Sequence, residues 1–408
     1  MQFKQTQLDN GLAAVGEVNP AAASMALGFF VRTGSRDETA RIAGASHFLE
    51  HMMFKGTVRR SPFDINREFD EIGAMYNAFT SEENTVYFGA VLPEFQDRLL
   101  DLLADMMRPA LRETDFQTER KVILEEIALY DDRPQHRLYE KLLAVHFAEH
   151  PLANSVLGTR QTIGALQQPD MLEYFTRRYS PGNLTLVAVG NFDWERLVGQ
   201  ARQACGKWQP QLTERKLADT RGSLRTEFLA DAKLVRQHIT LMCHGPSAQD
   251  DRRYAAHVLA TVLGDSTGSR LFYALIDPAI AEDASCGFEE FDGTGGFLTY
   301  VCADPERASQ ALEIVRQEYQ RFVREGPTEA EMLAARNKIA SAATLKGEIP
   351  MGRLTAVGFD WVYRHNYMPL VDQIDRILSI KGEDILELAR QYDIANTTLV
   401  TLGPKDKL

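Results

Sequence analysis

The chain predicts an α+β fold written twice, as two homologous domains that each pack helices on a mainly antiparallel sheet. Three observations carry this expectation. Asn183-Leu184-Thr185-Leu186-Val187-Ala188-Val189-Gly190 returns as Asn396-Thr397-Thr398-Leu399-Val400-Thr401-Leu402-Gly403, with five of eight positions identical at an offset of 213. The approach to each copy repeats too. A helix opening at Asp170 leads through Tyr179 into a β-branched strand, and one opening at Asp384 leads through Tyr392 into its counterpart. Finally, Ser46-His47-Phe48-Leu49-Glu50-His51 lines up with Ala256-His257-Val258-Leu259-Ala260-Thr261, each following an apolar strand that ends in glycine.

The elements follow in order. Gln2–Leu8 and Leu12–Val18 read as a hairpin joined at Asn10-Gly11. Met25–Val31 and Thr85–Val91 are further strands, while Phe95–Met107, Asp115–Tyr130 and Asp170–Tyr179 have helical spacing. His238–Gly245 opens the second copy as Met25–Gly34 opens the first. The polar, aperiodic stretch 209–222 is the expected linker, which gives a first domain over 1–208 and a second over 223–408.

Composition narrows the classes of function. A net charge of −12, from 45 basic and 57 acidic residues, with no long Lys/Arg run, argues against a nucleic-acid partner. Cys205, Cys243, Cys286 and Cys302 form no CxxC pair and read as buried, reduced thiols. No apolar stretch reaches the ~18 residues that span a bilayer, so no membrane partner is expected. The first residues lack a signal-peptide layout, and the expected compartment is the cytoplasm.

The chemistry concentrates in His47-Phe48-Leu49-Glu50-His51. On a helix, positions 47 and 51 lie one turn apart, so two imidazoles face one cation. Glu50 borders the same face, within reach of a water on that cation. A purely structural amphipathic helix would leave two histidines and an acid among Phe48, Leu49, Met52, Met53 and Phe54 without partners, which burial penalises. Neutral imidazoles suit zinc, and a catalytic site needs a third protein ligand. The helix Asp115–Tyr130 offers Glu119, Glu125 and Glu126. Val122, Ile123, Ile127 and Tyr130 mark its apolar face, and Glu119, Ile123, Glu126 and Tyr130 share one row. Glu126 is therefore the expected ligand, and Glu119 an acid behind it that orients a ligand or the water. Glu125 falls off that row.

These residues resemble the inverzincin peptidases, the pitrilysin group, and in particular its small bacterial members and the β subunit of mitochondrial processing peptidase. The likeness runs through Gly44–Thr57, Gly73-Ala74-Met75-Tyr76-Asn77-Ala78-Phe79-Thr80, Thr85-Val86-Tyr87 and Glu119–Glu126. It implies one zinc ion per chain on His47, His51 and Glu126, with Glu50 as general base of an endopeptidase. It implies that an extended peptide adds beside the metal at Asn77-Ala78-Phe79-Thr80, where Asn77 bonds the substrate backbone. The second domain would be a degenerate copy forming the other wall of the cleft, with Ala260 and Thr261 where Glu50 and His51 stand and His257 a core relic. Gly264–Phe272 resembles a substrate-side segment of the group. Its Arg270 either pairs a carboxylate or faces the substrate. The chain departs from the pattern at Ala279-Ile280-Ala281-Glu282, where many relatives have Gly-Leu-Ala-Tyr, which places Glu282 at the tyrosine. Half the length of the large members implies a homodimer, or a heterodimer with a similar subunit, acting on peptides or unfolded segments. The competing expectation is a non-catalytic peptide-binding partner subunit, which would typically have lost the base that Glu50 retains.

Overall fold

The computed structural model describes residues 1–215, 217 and 220–408. Within the predicted linker, residues 216, 218 and 219 lie outside the described residues.

Two sheets organise the chain. The first contains β1 (Gln2–Gln7), β2 (Ala13–Val18), β3 (Met25–Val31), β4 (Met75–Thr80), β5 (Thr85–Val91) and β6 (Leu184–Gly190), in the order β1-β2-β6-β3-β5-β4. The second contains β7 (Thr226–Ala230), β8 (Gln237–Gly245), β9 (Asp283–Phe291), β10 (Thr294–Ala303) and β11 (Thr398–Gly403), in the order β7-β11-β8-β10-β9. Without β1 the two orders are the same, and in both the β2–β6 or β7–β11 pair is the parallel one while the rest run antiparallel. The duplication read in the sequence is thus a duplication of topology. β3 is buried at every position because strands flank it on both sides and its faces are covered. Gly11, with φ +91, closes the predicted hairpin by donating its N–H to the Leu8 carbonyl at 2.8 Å.

Packing divides the chain differently from the repeat in sequence. One compact unit holds Met1–Ala128, Asn154–Lys216 and Leu345–Met368, and the other holds Leu129–Ala153, Leu217–Thr344 and Pro369–Leu408. The helices Glu113–Asp131 and Glu329–Gly347, 19 residues each, are followed by Pro134–Phe147 and Pro350–Arg364, so these two followers hold the same place in the repeat. Each packs on the sheet of the opposite half. Leu138, Leu142 and Phe147 bury against Met242, Val400 and Leu402. Leu354, Val357 and Val362 bury against Phe30, Val86 and Val187. The second helix approaches so closely that a Cβ at Gly358 would meet the Phe30 ring at 2.2 Å. The expected boundaries 1–208 and 223–408 follow the sequence repeat, and the compact units depart from them by these two exchanged segments.

All four cysteines are free and buried, as expected. Among the described residues no helix is long and apolar enough to cross a membrane.

Candidate metal centre

The motif lies on the helix Ala45–Met53, whose start is set by Gly44 in the left-handed region (φ +92). A Cβ there would meet the Leu157 carbonyl oxygen and Ile163 Cδ1 at 2.6 Å, so this turn needs glycine. The buried Glu38 carboxyl accepts from the backbone N–H of Gly44 and of Ser46, both at 2.6 Å, and so serves the free amides of the helix start. Burial pushes its pKa up to about 8 against those hydrogen bonds. The Ser46 hydroxyl bonds Tyr174 Oη at 2.8 Å, which bonds Thr33 Oγ1 at 2.9 Å.

The helix Glu113–Asp131 crosses beside it, and the Phe48 and Phe116 rings stack with centroids 4.7 Å apart. Its buried residues are Phe116, Glu119, Ile123 and Ile127. Val122, expected on the apolar face, is instead 46% exposed, and Glu125 is exposed as expected. The buried face is centred on Glu119 and Ile123, where Val122 projects about 100° away.

Three ligand atoms converge. His47 Nε2 lies 3.3 Å from His51 Nε2 and 3.7 Å from Glu126 Oε2, and His51 Nε2 lies 3.4 Å from the same oxygen. These spacings are near the edge of about 3.3–3.4 Å expected for a tetrahedron of N/O donors around zinc at bonds of about 2.0–2.1 Å. Among the described residues this is the one such cluster of His, Cys, Asp and Glu. The donor set therefore fits a zinc ion. Behind it, Glu119 Oε1 lies 2.8 Å from His51 Nδ1, the carboxylate–imidazole arrangement that fixes a ligand's ring and tautomer. Lys55 Nζ holds the other oxygen of Glu119 at 2.7 Å. Lys55, to which the sequence pattern assigns no role, lies two residues past the end of the motif helix.

Electrostatics separate the two imidazoles. Burial, reinforced by His51, draws the pKa of His47 down to about 4 and keeps its ring neutral. Burial acts on His51 in the same direction, but hydrogen bonds to Glu119 and Glu126 outweigh it and raise the pKa to about 9. A cation at the three converging atoms would take the place of that proton. Glu126 is held below the usual carboxylate range by its His51 bond, and Glu119 likewise by His51 and Lys55 against its burial. Burial raises Glu50, with its Thr80 hydrogen bond opposing. Thr80 Oγ1 donates to Glu50 Oε2 at 2.6 Å.

Asn77, Ala78 and Phe79 lie on β4, an open edge of the first sheet. Asn77 is exposed and its Oδ1 accepts from the Ala78 amide, while Phe79 packs its ring against the core beneath. Arg270 realises the carboxylate-pairing alternative. It is 7% exposed, its Nε donates to Glu331 Oε1 at 2.7 Å, and its Nη2 donates to the Gly326 carbonyl at 2.6 Å. Those partners lie within the second unit. Glu282 pairs Arg236 at 2.6 Å. His257, expected as a core relic, has a side chain 42% exposed with Nε2 3.5 Å from Glu290 Oε1.

Residues 14–160 match the insulinase family of peptidases, M16, and residues 165–339 match the peptidase M16 inactive domain. An uncharacterized zinc protease of Mycobacterium tuberculosis is 31% identical over 408 residues, covering 98% of this chain and 93% of that one. The chain belongs to peptidase family M16. The uncharacterized zinc protease YmxG of Bacillus subtilis is 29% identical over 409 residues, covering 100% of this chain and 99% of that one. The same fold occurs in a Helicobacter pylori protease (TM-score 0.91, 20% identity, 98% of this chain and 99% of that chain). It occurs as well in a peptidase M16 inactive domain from Pseudomonas fluorescens (TM-score 0.92, 16% identity, 99% of both chains). Within this M16 chain, the inactive-domain match spans His257, Ala260 and Thr261, where the second copy has alanine and threonine in place of Glu50 and His51.

Proposed function

We propose that the chain is a zinc-dependent endopeptidase acting on peptides or unfolded segments, with one Zn2+ held by His47, His51 and Glu126. The observation that carries this reading is the convergence of His47 Nε2, His51 Nε2 and Glu126 Oε2 with Glu50 on the same helix. Zinc, when bound, supplies Lewis acidity that polarises a scissile carbonyl and acidifies a water. Glu50 takes a proton from the attacking water and delivers it to the leaving amine, a role suited to a carboxyl whose pKa burial raises. Glu119 orients His51 through Nδ1, and Lys55 keeps Glu119 in place. An extended peptide pairs with the edge of β4, where the exposed Asn77, its Oδ1 taken by the Ala78 N–H, offers its side-chain NH2 to the peptide backbone. Pairing with a second copy or a similar subunit, and a cytoplasmic setting, remain part of this proposal.

The test is hydrolysis of a quenched-fluorescent peptide library by wild type and Glu50→Gln. The variant is expected to lose about 10²–10⁴-fold in kcat/KM. Equal activity in the two proteins overturns the assignment of Glu50.

A further inference from the structure

We infer that Thr80 is the positioning residue for the Glu50 carboxylate, tying the base to the strand edge where an extended substrate would pair. The inference rests on the metallopeptidase reading above. Its ground is a hydrogen bond between elements 30 positions apart: Thr80 Oγ1 donates to Glu50 Oε2 at 2.6 Å. Bonds to an ionised carboxylate in this range are short and strong. Among the described residues no second hydrogen bond holds that carboxylate, so the threonine is its one hydrogen-bonded anchor there and Oε1 carries none.

The donor sits on a fixed support. Thr80 is the last residue of β4 and pairs with Thr85 of β5, whose hydroxyl donates to the Thr33 carbonyl at 2.9 Å. The turn between them is closed by the Ser81 amide on the Asn84 carbonyl at 2.8 Å. Side chains alternate along a strand, so Ala78 and Thr80 share one face of β4 and Asn77 and Phe79 the other. A backbone that pairs along β4 therefore acquires a fixed register with respect to the residue that holds the base. A glutamate side chain has three rotatable bonds, and freezing them before substrate arrives removes an ordering cost from the reaction.

The experiment compares Thr80→Val, Thr80→Ala and Thr80→Ser in the full zinc-loaded chain, measuring kcat, KM, metal content and Tm. If the hydroxyl positions Glu50, Thr80→Ser stays within about 3-fold of wild type. Thr80→Val and Thr80→Ala then lose roughly 10–100-fold in kcat, with KM within about 2-fold and zinc content unchanged. A packing role predicts the opposite order, because valine keeps the methyl and serine does not. Valine performing as well as serine, or all three matching wild type, overturns the inference. A wild type as active as Glu50→Gln is a separate result: it removes the metallopeptidase reading itself, and this inference with it.

Discussion

His51 has two tasks set by its two nitrogens. Nε2 faces His47 and Glu126, while Nδ1 faces Glu119, whose other oxygen is held by Lys55. Removing the carboxylate charge behind a ligand weakens metal binding by about 10–100-fold in other proteins. Glu119→Gln is accordingly expected to speed zinc loss to a chelator by that order. Lys55→Met should act in the same direction but by less than about 10-fold, because Lys55 is 36% exposed and its pair with Glu119 is partly solvated. Stopped-flow chelation of the two variants checks the ranking, and Lys55→Met exceeding Glu119→Gln would contradict it. The ligands were legible because i, i+4 spacing and helix phase are properties of one segment. Lys55 and Thr80 were not, since each acts on a residue brought near by a different element. Arg270 shows the reverse case: its motif could be read, but only its partner Glu331 decides where the guanidinium goes.

At the scale of the element, the motif helix depends on how it begins. Gly44→Ala places a Cβ 2.6 Å from a carbonyl oxygen at φ +92, and should destabilise the protein by roughly 1–3 kcal/mol and lower zinc affinity by displacing His47. Chemical denaturation together with metal titration reads both effects. The helix Pro134–Phe147 carries a pH-sensitive position instead. His146 is 1% exposed, with Nδ1 2.9 Å from Thr398 Oγ1 and Nε2 without a hydrogen-bond partner among the described residues. Burial, with His244 nearby, draws its pKa down to about 4 from an ordinary value of 6.5. The native state thus binds fewer protons there than the unfolded chain. The stability from this group is full above pH 6.5 and is lost as pH falls towards 4, by at most about 3 kcal/mol. His146→Gln should fall less in Tm than wild type between pH 7 and pH 4.5. An identical fall in both contradicts the assignment. Strand positions such as Met25–Val31 and Thr85–Val91 are readable from their short, largely apolar runs, whereas the edge position of β4 follows only from its pairing.

For the whole molecule, the repeat and the packing tell different stories. Sequence similarity divides the chain near 209–222, yet each compact unit is completed by a helix from the other half. Amphipathic spacing announces that Pro350–Arg364 has a face to bury, but carries no information about which sheet receives it. Residues 1–208 alone would leave the cluster around Phe30 and Val187 without Leu354, Val357 and Val362. Expressed separately, 1–208 and 223–408 should be aggregation-prone, with near-ultraviolet circular dichroism lost, and co-expression should restore soluble protein. Two halves that each unfold cooperatively alone would contradict this. On the proposed function the duplication leaves one metal per chain, because the second copy keeps His257 but has Ala260 and Thr261 where Glu50 and His51 stand in the first. The most direct test of the central claim is zinc content per chain after chelation, reloading and gel filtration, for wild type, Glu50→Gln and Glu126→Gln. The expected result is about one equivalent for wild type and Glu50→Gln, and far less for Glu126→Gln. Wild type retaining well under one equivalent, or Glu126→Gln retaining as much as wild type, would contradict a zinc site on His47, His51 and Glu126.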